Sequence, residues 1–166
     1  MWALPFLVVF PALLVAAGLS DLLSMTIPNR ISLLLVVGYG VAALVVGFRG
    51  EQILLSAGGA LIVLAGGFTA FALGWIGGGD AKLAAAASLW LGLHHVFEYL
   101  LLAAIGGGLL TIVLLSMRSI PLPAFALRWD WLTRLHDRKT GVPYGVALAG
   151  AGLLLYPQTP LWQAAF

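Results

Sequence analysis

The sequence predicts an all-α, polytopic membrane protein with about six transmembrane helices and both termini outside. Its 166 residues are 62% hydrophobic and only 8% charged, and the mean hydropathy is +1.08. Apolar stretches of about twenty residues recur along the chain, which is the length that a helix needs to cross a bilayer. No linker or repeat indicates a second domain. We therefore interpret residues 1–166 as a single transmembrane domain.

The apolar stretches and their interruptions define the individual elements. They predict spans at residues 3–22, 31–48, 53–75, 81–93, 95–117 and 142–157. The first is interpreted as a retained helix and not as a signal peptide, because it lacks a basic N-terminal region. Pro28 and Asn29 begin the second span, with Asn29 expected to cap it. Gly50 marks the turn before the third span, and the glycines at 77–79 are expected to break the chain before the fourth.

The fourth predicted span is unusually short. About thirteen helical residues reach only about 20 Å, whereas the hydrocarbon core of a bilayer is about 30 Å thick. The glycine-rich start of this span is therefore expected to lie below the membrane surface. Irregular backbone at that depth is tolerated only where it is packed in protein or lines a wet cavity. We expect a water-filled pocket there, open to the cytoplasm, beside Asp80.

The basic residues predict the orientation of the chain. Seven of the eight Lys and Arg residues fall in the first, third and fifth predicted loops, and cytoplasmic loops are enriched in these residues. This pattern places both termini outside, and it places Asp21 and Asp80 together on the cytoplasmic side. Trp90 and Trp162 then fall at the outer interface, where tryptophan is common.

Asp21 and Asp80 are the strongest candidates for chemistry. A carboxylate at the edge of a hydrophobic segment is costly and is usually functional. Two carboxylates that lie close together share one proton, so the ionised member can activate water while the protonated member polarises a carbonyl, as in aspartic proteases. Each acid also has a purely structural interpretation, Asp21 as an interfacial helix end and Asp80 as a helix cap. Their common side and the glycines before Asp80 favour the catalytic interpretation.

Three elements of the sequence resemble the motifs of the type IV prepilin peptidase family. In chain order they are Asp21 with Pro28 and Asn29, then Gly77, Gly79, Asp80 and Lys82 in a GxGDxKL pattern, then Pro143 and Gly145 at the start of the sixth span. The GxGD signature alone also occurs in presenilin-type proteases. Both aspartate motifs, in order across six short spans, make the resemblance specific, and it covers nearly the whole chain.

The resemblance implies an aspartic endopeptidase of the bacterial inner membrane, which removes the short basic leader from prepilins and pseudopilins at the cytoplasmic face. It implies Asp21 and Asp80 as the catalytic pair. The supporting positions that it implies are Pro28, Asn29, Gly77, Gly79, Lys82, Pro143 and Gly145. The compact chain lacks the methyltransferase region of larger members and is similar to the tight-adherence (Flp) pilus peptidases. The expected partners are a prepilin and the lipid bilayer, with no cofactor.

Other features of the sequence carry less weight. The absence of cysteine excludes thiolate chemistry, and a net charge of +2 is too small to indicate a nucleic-acid surface. His94, His95 and Glu98 have a spacing that suits a metal, but the topology places them at the opposite end from the acids, so no metal site is expected. Lys82 is two positions past Asp80, which turns it to about the opposite helix face and argues against a direct pair.

Two other functions are compatible with intramembrane carboxylates. One is a small ion-coupled or proton-coupled transporter, which would use the acids to bind protons or cations. It predicts that Asp→Glu changes retain activity and that no polypeptide is cut. The other is a presenilin-like protease that cleaves inside the helices of its substrates. The Pro28–Asn29 element after Asp21 argues against this second alternative.

Overall fold

The computed structural model describes residues 4–123 and 126–164. The helices in this part are α1 (Leu4–Ser24), α2 (Asn29–Val46), α3 (Gly50–Ala72), α4 (Gly78–Leu91), α5 (Val96–Met117), α6 (Asp130–His136), α7 (Tyr144–Leu155) and α8 (Pro160–Gln163). Three short 3₁₀ turns lie at Leu93–His95, Ala126–Arg128 and Tyr156–Gln158. The predicted all-α class is confirmed.

Four helical segments of the described chain are long and apolar enough to cross a membrane. They are Leu7–Ser24, Asn29–Val46, Gly50–Ala72 and Leu93–Met117. The protein is therefore a polytopic helical membrane protein, as predicted. Helices α4 and α7 have 14 and 12 residues, which is short of the length that a single crossing needs. The count of six spans and the outside position of both termini stay predictions.

Helix α4 lies at the centre of the bundle. It packs against α2, α3, α5 and α7, and nine of its fourteen residues are buried. A helix that is apolar on all sides is typical of a buried position. The alanine run at 84–87 leaves little side chain between α4 and its neighbours, which favours close helix packing in a bilayer. Helix α7 in turn packs against α1 and α5. The buried part of α4 begins at Ala81, and its first turn, residues 78–80, is partly exposed.

Trp90 is part of the core and not of a membrane interface. Its side chain is buried, it stacks on Phe10 with ring centroids 5.1 Å apart, and its Nε1 donates a hydrogen bond of 2.9 Å to the carbonyl oxygen of Leu35. The prediction that Trp90 belongs to an outer aromatic belt is wrong. The partner of the indole N–H is a helix carbonyl and not the lipid headgroup region, so the ring can be buried without an unpaired donor.

The turn between α3 and α4 differs from the prediction. Gly78 and Gly79 already belong to α4, and the chain is irregular over residues 73–77. The glycine that adopts a left-handed conformation in this turn is Gly74, with φ of +75°. The expected break at residues 77–79 is therefore placed a few residues too late. Gly78 instead allows the start of α4 to pack closely against Phe71 of α3, since a Cβ on Gly78 would lie 3.3 Å from that ring.

Arg118 holds the segment between α5 and α7 in place. Its side chain is buried, Nε donates to the carbonyl oxygen of Leu135 at 2.8 Å, and Nη2 donates to that of Gly141 at 2.9 Å. Arg134 also reaches α1, where Nη1 donates to the carbonyl oxygen of Leu23 at 3.1 Å. Arg118 is predicted to be a loop charge of the cytoplasmic side, whereas in the structure it is an internal clamp.

Candidate active site

Asp21 lies near the end of α1 and faces the beginning of α7. Its side chain is only 6% exposed, and Oδ2 accepts a hydrogen bond of 2.7 Å from the backbone N–H of Gly145. Gly145 is the second residue of α7, and the first N–H groups of a helix have no partner within that helix. The positive end of the α7 dipole thus meets the Asp21 carboxylate, an arrangement that stabilises an anion.

Asp80 occupies the first turn of α4. Its Oδ2 accepts a hydrogen bond of 3.3 Å from the backbone N–H of Gly77, and the side chain is partly buried. Gly77 takes the cap position and Asp80 the third helical position. Asp80 is therefore not the cap residue itself, but its carboxylate does cap the helix by accepting the Gly77 N–H. Each of the two acids is consequently held at a helix N-terminus by the N–H of a glycine.

Ile27 connects the surroundings of the two acids. A Cβ on Gly79 would lie 3.2 Å from Ile27 Cβ, and a Cβ on Gly145 would lie 2.8 Å from Ile27 Cδ1. The same Cβ on Gly145 would lie 2.8 Å from Asp21 Oδ2. The contacts at Gly145 are too short for a real Cβ, so the observed packing requires glycine there, and a side chain at position 79 would require Ile27 to shift slightly. The turn before α2, the start of α4 and the start of α7 therefore converge on Ile27.

The electrostatics of Asp80 also depend on Asp21. Asp80 lies outside the four candidate membrane spans. Burial raises the pKa of Asp80 from 3.8 to about 6, the negative charge of Asp21 contributes to the increase, and the hydrogen bond from Gly77 opposes it. The contacts of Ile27 with Gly79 and Gly145 place the surroundings of the two carboxyl groups in the same region of the bundle. A carboxyl group with a pKa of about 6 can act as an acid at a pH where ordinary aspartates are ionised.

Lys82 and Asn29 join the first two sequence elements. Lys82 Nζ donates a hydrogen bond of 2.9 Å to Asn29 Oδ1, and no ion pair between Lys82 and Asp80 occurs among the described residues. The prediction that Asn29 caps α2 is wrong, because the cap position is Pro28 and no side chain bonds there. The Asn29 side chain accepts from Lys82 instead. Pro28 supports the turn with an extended backbone, at φ −60° and ψ 134°.

The third element forms the beginning of α7. Pro143 is fully buried at the cap position, which fixes the direction in which the helix leaves the turn. Tyr144 follows, and its ring lies so close to Gly107 of α5 that a side chain on Gly107 would overlap it. Pro143 and the Tyr144 contact therefore fix where the Gly145 N–H points.

The contacts of three residues around the site cannot be recognised from the sequence. Ile27, Gly107 and Arg118 act through contacts with residues that are distant in the chain. Only the glycine run at 106–108 indicated close packing near one of them. Such contacts become visible only when the helices are assembled.

His95 and Glu98 lie away from the two acids, and the acids do not line the groove beside α4. His95 Nδ1 and Glu98 Oε2 are 3.2 Å apart, beyond the end of α4 that is opposite Asp80. Over residues 4–123 and 126–164, no group of three His, Cys, Asp or Glu side chains is arranged to hold a metal ion. A groove beside α4 includes Asn29 and Lys82 in its lining, but neither acid lines it. The water-filled pocket expected beside Asp80 stays a prediction.

The fold and the site define a helical membrane protein with two neighbouring carboxylates at helix N-termini. The model of the type IV leader peptidase family matches residues 8–112, which is more than half of the chain and includes both acids. The chain belongs to this family, which makes it a peptidase. No curated protein and no solved structure matches it. The matched region ends before Pro143 and Gly145, so the family match does not include the third sequence element. What connects that element to the site is the hydrogen bond from Gly145 to Asp21.

Proposed function

We propose that this protein is a prepilin peptidase that removes the leader of type IV prepilins and pseudopilins, with Asp21 and Asp80 as its catalytic pair. The observation that carries the proposal is the position of the two acids. Each accepts a hydrogen bond from a glycine N–H at a helix N-terminus, and burial together with the charge of Asp21 raises the pKa of Asp80. The match to the type IV leader peptidase family supports the same activity.

We propose a different role for each acid, based on its surroundings. Asp21, which accepts a hydrogen bond from the N–H of Gly145, acts as the base that takes a proton from water. Asp80, whose pKa is raised to about 6, acts as the acid that protonates the carbonyl oxygen of the scissile bond. Water oxygen then bonds to the carbonyl carbon and gives a tetrahedral diol.

Collapse of this diol restores the pair. Asp21 returns its proton to the leaving nitrogen, the carbon–nitrogen bond breaks, and Asp80 regains a proton from one hydroxyl group of the diol. The cycle consumes one water and needs no cofactor, since both proton transfers use the same two carboxyl groups. The products are a leader with a free carboxyl group and a mature pilin with a free amino group.

The proposed setting is the bacterial inner membrane, with the acids on the cytoplasmic side and both termini outside. Seven of the eight basic residues lie in or next to the turns on one side of this arrangement, and one of the seven, Arg118, points inward as a clamp. The substrate proposed with this setting is a prepilin of the tight-adherence (Flp) type, and residues 1–166 are taken as one transmembrane domain. A prepilin carries an apolar helix after its leader, so the enzyme meets the scissile bond at the membrane surface.

Coexpression with a candidate Flp prepilin tests this proposal. The cells carry wild type, Asp21→Asn or Asp80→Asn, and mass spectrometry of the pilin measures loss of the leader. We expect cleavage with wild type only. Asp130→Asn is the matched control, because Asp130 is an exposed acid in the first turn of α6, and it should cleave like wild type. Cleavage that persists in either site variant, at equal amounts in the membrane fraction, removes that residue from the catalytic pair.

A further inference from the structure

A groove of about 700 Å³ runs along α4 between α2 and α3. Helices α2 and α3 are joined by a short turn, and both pack against α4, but they make little contact with each other. The floor of the groove is formed by α4 and its walls by α2 and α3. Since both walls are candidate membrane spans, the groove opens sideways towards lipid.

Small side chains on the floor and large apolar ones on the walls shape this groove. Lys82, Ala85, Ala86 and Leu89 line it from one face of α4, as their spacing of three and four residues requires. On the walls, Leu33 and Leu61 are 63% and 65% exposed. Ala85 and Ala86 are buried at the floor, and small side chains there leave the space between the walls open for a helix. The floor extends over about 10 Å, or about two helical turns.

One end of the groove is polar and adjoins the candidate site. Lys82, Asn29 and Arg30 line that end, and Lys82 is two residues from Asp80. The amino group of Lys82 donates to an amide oxygen, and the ion pair found among the described residues is that of His95 with Glu98. Two cations therefore lie at the mouth of an apolar groove, and neither forms an ion pair with a carboxylate of the described residues.

We propose that this groove holds the apolar helix of the membrane-anchored substrate, with an acidic side chain near one end of that helix paired to Lys82 and Arg30. The proposal rests on the proposed function, which requires the scissile bond to reach Asp80. The apolar contacts of a helix in the groove would start near Asp80, because the lining on α4 starts at Lys82. The two cations complement a carboxylate on the substrate and repel a basic leader, so the leader stays outside the groove. A lipid phosphate is the competing occupant.

Cysteine cross-linking tests where the substrate helix binds, because the natural chain has no cysteine. Single cysteines replace Leu33 and Leu61 on the walls, and Leu109 and Ile112 of α5 serve as controls that are 60% and 62% exposed and do not line the groove. The substrate carries one cysteine in its apolar helix, and the enzyme also carries Asp80→Asn to prevent turnover.

We expect cross-links from positions 33 and 61 to exceed those from 109 and 112 at least about tenfold, since a disulfide needs Cα atoms within about 7 Å. Equal cross-linking at all four positions, or no cross-linking from the groove, overturns the proposal. Cleavage of the same substrate by the enzyme with natural Asp80 is measured in parallel. If the substrate is cleaved but no cross-links form in the groove, the groove proposal is wrong and the proposed function stands. If the substrate is not cleaved, the proposed function is wrong.

The charge pairing has its own test. For a substrate with its acidic side chain, Lys82→Met should raise KM about tenfold, the loss expected for a charge-assisted pair, and should change kcat little. For the same substrate with the acid replaced by its amide, Lys82→Met should leave KM unchanged, and Lys82→Arg should restore binding of the acidic form. An equal rise of KM for both substrates overturns the pairing. So does a rise that occurs only in vesicles containing anionic lipid, which would assign the cations to a lipid phosphate.

Discussion

The backbone N–H of Gly145 donates a hydrogen bond of 2.7 Å to Oδ2 of Asp21, across 124 positions of the chain. This bond joins the end of α1 to the beginning of α7. A donor at that point stabilises negative charge on the carboxylate, because the N–H belongs to the first turn of a helix and has no partner within it. The third sequence element thus supports the first aspartate, although the family match ends at residue 112.

Gly145→Ala should abolish most of the peptidase activity. The added Cβ would lie 2.8 Å from Asp21 Oδ2 and 2.8 Å from Ile27 Cδ1, so the carboxylate must move away from the N–H that holds it. A small displacement of a catalytic group reduces rates by about a hundredfold. Initial rates of leader removal by purified enzyme measure this effect.

Gly150→Ala is the matched control for that variant. Gly150 lies in the same helix, and a Cβ there would meet nothing within 4 Å. Alanine is also the better helix former, by about 1 kcal/mol. We expect wild-type rates and an equal or slightly higher unfolding temperature. If both variants lose activity to the same degree, the effect arises from α7 as a whole and not from the contact with Asp21.

The rate of cleavage should depend on pH through Asp80. Burial and the charge of Asp21 raise the pKa of Asp80 to about 6. Loss of its proton leaves the pair without an acid, so kcat/KM should fall as the pH rises through about 6, approaching tenfold per pH unit on the alkaline side. Rates at closely spaced pH values from 5 to 8 measure the profile. A rate that increases over this range contradicts the assignment of Asp80 as the acid.

Asp80→Asn should stabilise the protein at alkaline pH. The pKa of Asp80 is higher in the folded state, at about 6, than its ordinary value of 3.8. The protonated form therefore contributes stability that is complete below 3.8 and is lost as the pH rises through 6. Asparagine cannot ionise, so the variant should unfold at a higher temperature than wild type at pH 8, and the difference should vanish near pH 4. Thermal unfolding in detergent at both values measures it, with Asp130→Asn as the exposed control.

The helices could be predicted from the sequence because their signals are local. Hydropathy and the positions of Pro28 and Gly50 placed α1, α2, α3 and α5 within a few residues of their observed ends. The short fourth helix followed from the number of residues available between two interruptions. The position of the turn before α4 is not predicted correctly, because three adjacent glycines at 77–79 are a stronger local signal than a single glycine. It is Gly74 that adopts the left-handed conformation, with φ of +75°.

The details of the site depend on contacts between distant residues, which local signals do not contain. Asp21 and Asp80 could be chosen as candidates because carboxylates are rare in such a chain. The amide of Asn29, in contrast, was expected to cap α2, yet it accepts from Lys82 across 53 positions. Trp90 is likewise predicted at a membrane interface and not in the core. Its hydrogen-bond partner, the carbonyl oxygen of Leu35, is 55 positions away in the chain, so no local signal indicates it.

Arg118→Ala should destabilise the fold and reduce activity together. The guanidinium holds the carbonyl oxygens of Leu135 and Gly141, and its loss removes the partners of both. A buried carbonyl without a partner costs about 1–3 kcal/mol, which thermal unfolding in detergent measures as a lower transition temperature. Gly141 is two residues before Pro143, so the start of α7 loses its support and the N–H of Gly145 is displaced from Asp21.

Arg138→Ala separates this clamp from a general effect of positive charge. Arg138 lies in the same segment and is exposed, so its removal should change stability by no more than about 0.5 kcal/mol. If charge on this side of the protein is what matters, the two variants should lose activity equally. If the hydrogen bonds matter, Arg118→Ala alone should show both a lower unfolding temperature and slower cleavage, and Arg118→Lys should recover only part of each, because an ammonium group cannot reproduce the two directed bonds of the guanidinium.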